Sequence, residues 1–298
     1  MNRAKANLCL LLAGALWGIG FVAQSTAMDA IGPMLFIALR FFLATLVVLP
    51  FALLESHKAS TRLSMRDISG FLWIGLAMFA GMTAQQIGLL TTTVTNAGIL
   101  TGLYVVFVPF LVVVFLRRLP HPVVWPAALL AFVGIWLLSG GHALSLNSGD
   151  ALTILCAVFW AGQVLMIGVF GQRTGRPLTL SAVQFALCAV LAFVAALLSE
   201  PILWTAIRDA LPEILYSGIF ASGVAFSLQA IGQRYTTPAQ AAIFLSTEAL
   251  FAALFGALFL GERVAALGYL GCALIFVAIL LVEVTPALLQ RQAKGAKA

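Results

Sequence analysis

Ten apolar runs, each long enough to cross a bilayer and almost free of charge, follow one another through the chain. They lie near residues 7–25, 33–54, 68–90, 94–116, 123–141, 150–170, 179–198, 213–232, 237–260 and 265–284. At about 20 residues per crossing, they leave room for little besides short connections. Only 9% of the 298 residues are charged, against roughly 25% in an average soluble domain. The expected fold class is therefore an all-α polytopic membrane protein with ten transmembrane helices, and membrane lipids are its surroundings.

A formal charge of +6 raises the question of an anionic partner such as nucleic acid. The basic residues answer it, because they sit in short clusters between apolar runs, where they act as topology signals and not as a nucleic-acid surface. With the N-terminus in the cytoplasm, that side holds Arg3, Lys5, Lys58, Arg62, Arg66, Arg117, Arg118, Arg173, Arg176, Arg234, Arg291, Lys294 and Lys297, and the other side holds Arg208 and Arg263. The reverse orientation opposes the positive-inside bias at nearly every loop, so both termini are expected in the cytoplasm. Arg3 and Lys5 before an apolar run that ends in small residues near Ala27 also fit a cleavable signal. Trp17, however, belongs to an internal repeat and keeps this run in the fold.

Metal and cofactor chemistry find no footing. Cys9, Cys156, Cys188 and Cys272 fall inside apolar runs without C-x-x-C spacing, and His57, His121 and His142 fall in connections. Such cysteines read as small buried hydrophobes. No GxxxxGK[ST] loop is present to cradle ATP.

Shifting the second half onto the first by 143 to 144 residues brings like features together. Trp17 meets Trp160, Arg40-Phe41 meets Gln184-Phe185, Gly75 meets Gly218, Thr92-Thr93 meets Thr236-Thr237, Asn96 meets Gln240, and Gln85-Gln86 bracket Gln229. Each half carries five spans, an odd number, so the second must enter the membrane the other way up. Loop charge reverses in step: Lys58, Arg62 and Arg66 correspond to a loop with Glu200, Arg208, Asp209 and Glu213, and Arg117-Arg118 correspond to Glu262-Arg263. The expected units are residues 1–149 and 150–285, two inverted five-helix repeats, with a basic cytoplasmic tail at 286–298. Inverted repeats can rock about a midplane cavity, which suits alternating access better than a scaffold role.

Leu16-Trp17-Gly18, the LRFFLA stretch around Arg40, the run from Thr93 to Tyr104, and STEALFAALFGALFLGER from Ser246 to Arg263 resemble the drug/metabolite transporter superfamily and its EamA-type 5+5 members. The resemblance implies a multi-pass transporter of the bacterial inner membrane, often an exporter of amino acids or related metabolites. Such members often carry proline directly after the glutamate of the ninth span. Ala249 stands there in this chain, which puts a family-like kink in question.

Ionisable residues inside the hydrocarbon are expensive and mark function by default. Glu248 is the acid well inside a span and Arg40 the base. At 1.5 Å per residue, Glu248 lies about 15 Å from one surface, and Arg40 about 10 Å from the other across a core about 30 Å thick. Two roles stay open: an Arg40–Glu248 pair that fixes helix packing, or a site in which Glu248 takes an ammonium or a proton while Arg40 takes a carboxylate. Protons are thus a candidate coupling ion. Polar and aromatic stripes extend the substrate-binding set: Trp17 and Gln24 with Phe21, Met82 with Gln85 and Gln86, Tyr104 with Thr101, Trp160 with Gln163, and Ser222 with Phe226 and Gln229. Such a wall suits a small amphiphilic solute, although Ser, Thr and Gln also bond between helices. The fifth and tenth spans hold almost no polar residues and are expected at the periphery. An intramembrane enzyme would need a second ionisable partner beside Glu248. No enzyme activity is therefore expected, and the leading reading is a secondary transporter of small organic metabolites, acting as monomer or homodimer.

Overall fold

The computed structural model describes residues 1–138, 147–263 and 266–295, with the backbone alone given for 283 and 286–295. His142 and the side chains of the basic tail lie outside the described residues. Among the described residues, eight helices are long and apolar enough to cross a membrane: α1 (Arg3–Ala27), α2 (Pro33–Lys58), α3 (Met65–Gly88), α4 (Val94–Leu116), α6 (Ser148–Thr174), α7 (Pro177–Ser199), α8 (Leu211–Gln233) and α9 (Pro238–Leu260). The fifth and tenth places are taken by α5 (Val124–Leu138) and α10 (Ala266–Gly295), whose apolar part is the shorter Ala266–Val282.

Local chemistry sets the ends. Ser64 with Asp67 and Asn147 with Asp150 form capping boxes at the starts of α3 and α6, each satisfying amide donors that a helix start leaves free. Proline opens α2, α7 and α9, where its missing N–H costs nothing. Carboxylates cross between halves to do the same work. Glu200 accepts from the Met34 and Leu35 amides at 2.8 and 2.9 Å. Glu55 accepts from those of Leu178 and Thr179 at 3.2 and 2.7 Å. Thus the end of α7 caps α2, and the end of α2 caps α7.

The helix pairing carries the repeat. α2 lies along α7 and α5 along α10, and each of these pairs maps onto itself when the halves are exchanged. α3 lies along α6 as α8 lies along α1, and α1 packs on α9 as α6 packs on α4. Contacts between connections place the loops around residues 61 and 64, the ends of α2 and α6 and the start of α7 on the face that holds the chain ends, here the termini face. The starts of α2, α4 and α6 lie with Glu200 and Glu262 on the far face.

Two helices break at equivalent depths. α4 divides into Val94–Thr101 and Tyr104–Leu116, and α9 into Pro238–Leu245 and Thr247–Leu260. Around each break, amides turn back to the carbonyl three residues before: Val105 to Gly102, Val106 to Leu103 and Ala249 to Ser246. The α9 helix thus tightens at Ser246 without a proline at 249, answering the question that Ala249 raised. The Ser246 and Thr247 hydroxyls, each 2.8 Å from a carbonyl three residues back, bond locally instead. Tyr104 and Glu248, equivalent under a shift of 144, each follow a break. In α8, residues Ser217–Val224 widen into π turns, a form that recurs at functional positions.

Candidate functional site

Close approach of α1 and α4 to α9 delivers Glu248 to the middle of the bundle. A Cβ on Gly18 would stand 2.2 Å from the Phe251 Cβ, and one on Gly98 would stand 2.4 Å from the Ala252 Cβ. Glycine at these positions lets the backbones touch. Glu248 is then 4% exposed and Arg40 1% exposed, and both line a cavity bounded by α1, α2, α3, α4, α6, α8 and α9. Among the described residues, none of α5 or α10 lines it.

The structure brings Trp17, Gln24, Arg40, Met82, Gln85, Tyr104, Trp160, Gln163, Gln229 and Glu248 to the cavity wall, together with Phe21, Thr101 and Phe226. Two of the residues singled out in sequence sit behind it. Gln86 is fully buried and donates to the Gln24 carbonyl at 3.1 Å, and Ser222 accepts from Arg40 Nε at 3.0 Å. Val164 and Leu245 also line the wall. The sequence reading missed both, because an aliphatic residue in an aliphatic helix carries no signal.

Arg40 has no carboxylate at ion-pair distance among the described residues, and α2 makes no substantial packing with α9. The guanidinium leans on Phe36 and Phe41, at 5.7 and 5.2 Å from the ring centroids, a cation–π setting. Its Nε is held by Ser222 of the π segment, while Nη1 is buried without a partner. Beside Ser222, the Ala221 carbonyl accepts from Trp17 Nε1 at 2.9 Å. The widened turns therefore supply both an anchor for the arginine and one for the tryptophan.

Elsewhere in the wall, Tyr104 stands beside Glu248, and the Tyr104 hydroxyl and Glu248 Oε1 are buried without hydrogen-bond partners. Phe226 forms the aromatic wall, with its ring centroid 4.7 Å from Trp17 and 5.5 Å from Trp160. A ladder of amides braces the second half: Gln229 donates to Gln163 at 3.1 Å, and Gln163 donates to Gln184 at 3.2 Å. Gln184 occupies the place that Arg40 holds in the first half. Its amide fixes packing where the arginine carries a charge.

Unmatched donors (Arg40 Nη1 and Trp160 Nε1) and unmatched acceptors (Glu248 Oε1, Gln24 Oε1 and Gln229 Oε1) thus belong to residues of one wall. Buried polar atoms are rarely left so, and a solute bearing both acceptors and donors would satisfy them. The space open to the centre of a water molecule is only about 30 Å3, room for a few waters and not for a metabolite. The helices must part to admit anything larger.

Comparison with known proteins agrees with this architecture. The EamA-like transporter family matches twice, over residues 4–140 and 147–284. An uncharacterized transporter of Archaeoglobus fulgidus is 33% identical over 95% of this chain and 87% of its own. The uncharacterized transporter YwfM of Bacillus subtilis is 29% identical over 94% of each. The uncharacterized inner membrane transporter YedA of Escherichia coli is 23% identical over 90% of this chain and 87% of its own. A solved crystal structure superposes with a TM-score of 0.76 over 95% of this chain and 98% of that one, at 20% identity, a likeness of fold. Doubly matched along its length, with eight membrane-length apolar helices and two shorter ones among the described residues, the chain is a multi-pass membrane protein that belongs to the EamA-like transporter family.

Proposed function

We propose that this transporter exports small zwitterionic metabolites, amino acids first among them, across the bacterial inner membrane by alternating access, with both termini in the cytoplasm. The observation that carries the reading is a buried guanidinium and a buried carboxylate in one cavity wall, not paired with each other. Burying either charge is costly, and the cost is offset when a solute brings the complementary group to each. The carboxylate of an amino acid meets Arg40 with Trp160 nearby, and its ammonium meets Glu248 and the free amide oxygens. The aromatic wall around Phe226 takes an apolar side chain.

Because the cavity is contracted, loading requires the two five-helix repeats, residues 1–149 and 150–285, to move against each other, as inverted repeats do. Glu248 is also the group that can exchange a proton, which makes a proton gradient the proposed driving force.

Reconstituted vesicles test this directly, by following flux of a panel of amino acids, amines lacking a carboxylate and acids lacking an amine, with and without a proton gradient. Amino acids should move fastest. Arg40→Gln should abolish the preference for amino acids over amines, and Glu248→Gln should abolish the preference for amino acids over acids. Equal flux of all three classes, or variants with wild-type selectivity, removes the zwitterion reading.

A further inference from the structure

The corner after α4 and the corner after α9 are equivalent in the repeat, and their backbones agree. Arg117 (φ 50°) and Gly261 (φ 68°) both close their helix in the left-handed conformation. The residues next in the chain differ. Across the far face, Glu262 reaches the start of α4, where Oε1 accepts from the Val94 amide at 3.0 Å and Oε2 accepts from the Thr95 amide at 2.9 Å and from the Thr95 hydroxyl. A carboxylate so placed takes up free helix-start amides and meets the positive end of the helix dipole. Gly256 leaves it room, since a Cβ there would lie 2.7 Å from Glu262 Oε2.

On the termini face, a shift of 144 residues replaces all four parts. Arg118 stands for Glu262, Pro238 with no N–H stands for Val94, Ala239 with no hydroxyl stands for Thr95, and Val112 stands for Gly256. The same corner there borders a groove of about 760 Å3 between α4, α6 and α9. The groove reaches Gly168 on α6, one helical turn from Val164 in the cavity wall. Between groove and cavity, α6 meets the start of α9, where a Cβ on Gly168 would lie 2.5 Å from the ring of Pro238. That barrier is a contact with proline ring carbons, joined one turn further along α6 by Gln172 Nε2, which donates to the Gln233 and Thr236 carbonyls at 3.2 and 2.8 Å.

We infer that Glu262 is the latch of the far gate. It ties the start of α4 to the α9–α10 corner, and it must let go each time the cavity opens to the far face. On the termini face the α9 start is held by the neutral Gln172 amide, with no carboxylate in the place of Glu262, and bonds without a charged partner are the weaker ones, so the resting transporter yields first on that side. Glu262 is a positioning residue. It is not part of the cavity wall and acts through α4, which carries Thr101 and Tyr104 into the cavity. The inference rests on the alternating-access reading but not on the identity of the solute.

The test therefore uses accessibility and needs no substrate. With Cys9, Cys156, Cys188 and Cys272 replaced by alanine, Val164→Cys places one thiol in the cavity wall. A charged, membrane-impermeant methanethiosulfonate reagent is applied to one face at a time of oriented vesicles, the faces being identified by an N-terminal tag. The thiol should react faster from the termini face. Glu262→Gln keeps the shape but removes the charge from the three accepted hydrogen bonds, and should speed reaction from the far face by about tenfold while leaving the termini-face rate equal or lower. Thr95→Val, which removes only the hydroxyl donor, should act in the same direction by a smaller factor, and keeps the test open where Glu262→Gln fails to fold. Far-face rates unchanged in the folded variants overturn the latch and leave alternating access standing. A thiol out of reach from both faces in every variant overturns both.

Discussion

Glu248 is the residue on which packing and transport roles separate most cleanly. Removing one member of a buried ion pair strands the other and costs several kcal/mol, about 3–5. Here Arg40 is held by Ser222 and two rings and not by Glu248. Glu248→Gln therefore strands no charge and should leave the thermal midpoint within a few degrees of wild type. Its flux of amino acids should fall about tenfold or more, the value of one hydrogen bond to a charged group. Thermal unfolding in detergent and vesicle flux, measured on the same preparation, check this. A variant that fails to fold, and that Arg40→Gln restores, would return the pair to a structural role. At this scale the sequence was readable where a polar residue interrupts an apolar helix, as Arg40, Gln85, Gln163 and Glu248 do. It was silent on Val164 and Leu245, and it could not separate Gln229 in the wall from Gln86 and Ser222 just behind it. Those distinctions depend on a side chain's rotation about its helix, and in a helix apolar on every side no pattern records it.

Helices supply the next level of constraint, through glycines that admit a neighbour. Gly18 meets the backbone of α9 beside Phe251, whereas a Cβ on Gly162, also mid-helix, would find nothing within 4 Å. Gly18→Val should separate α1 from α9 and destabilise by at least the 1–3 kcal/mol typical of overpacking. Gly162→Ala should be neutral or stabilise by up to about 1 kcal/mol by raising helix propensity. Thermal midpoints of the two variants check this, and a Gly18→Val midpoint equal to wild type would disprove the close approach of α1 and α9. Gly14 with Gly18 and Gly98 with Gly102 stand in G-x-x-x-G spacing in the sequence, a pattern that permits such close contact. The π segment Ser217–Val224 and the tightened turns near Gly102 and Ser246 were not legible. Each exchanges one backbone hydrogen-bond register for another, and the residues concerned serve equally well in a regular helix.

Over the whole molecule, charge in the connections both orients the chain and ties it together, and the two uses leave different traces. Counting Lys and Arg by side exposed the inversion of the repeats, because a loop that keeps its place in the repeat while changing sides must change its charge. The comparison of loop charges read Glu200 and Glu262 as loop charges only and passed over Glu55, whereas each of the three caps a helix of the opposite half. That function depends on which helix start lies nearby, a fact of assembly and not of spacing. The orientation carries the last prediction. Arg173 lies on the termini face and pairs with Asp67 at 3.1 Å, so it serves tertiary structure as well as topology, while Lys58, Arg62, Arg66, Arg117, Arg118 and Arg176 crowd that face in loops short enough for the positive-inside bias to act. The opposite loops offer Arg208 and Arg263, and Arg208 is paired with Asp209 at 3.4 Å. Reporter fusions after Val123, Gly175 and Gln290 should therefore all show cytoplasmic activity, and a fusion after Asp209 should show periplasmic activity. A periplasmic signal from any of the first three would reverse the orientation, turn the proposed direction of export around with it, and move the Glu262 latch from the outer gate to the inner one.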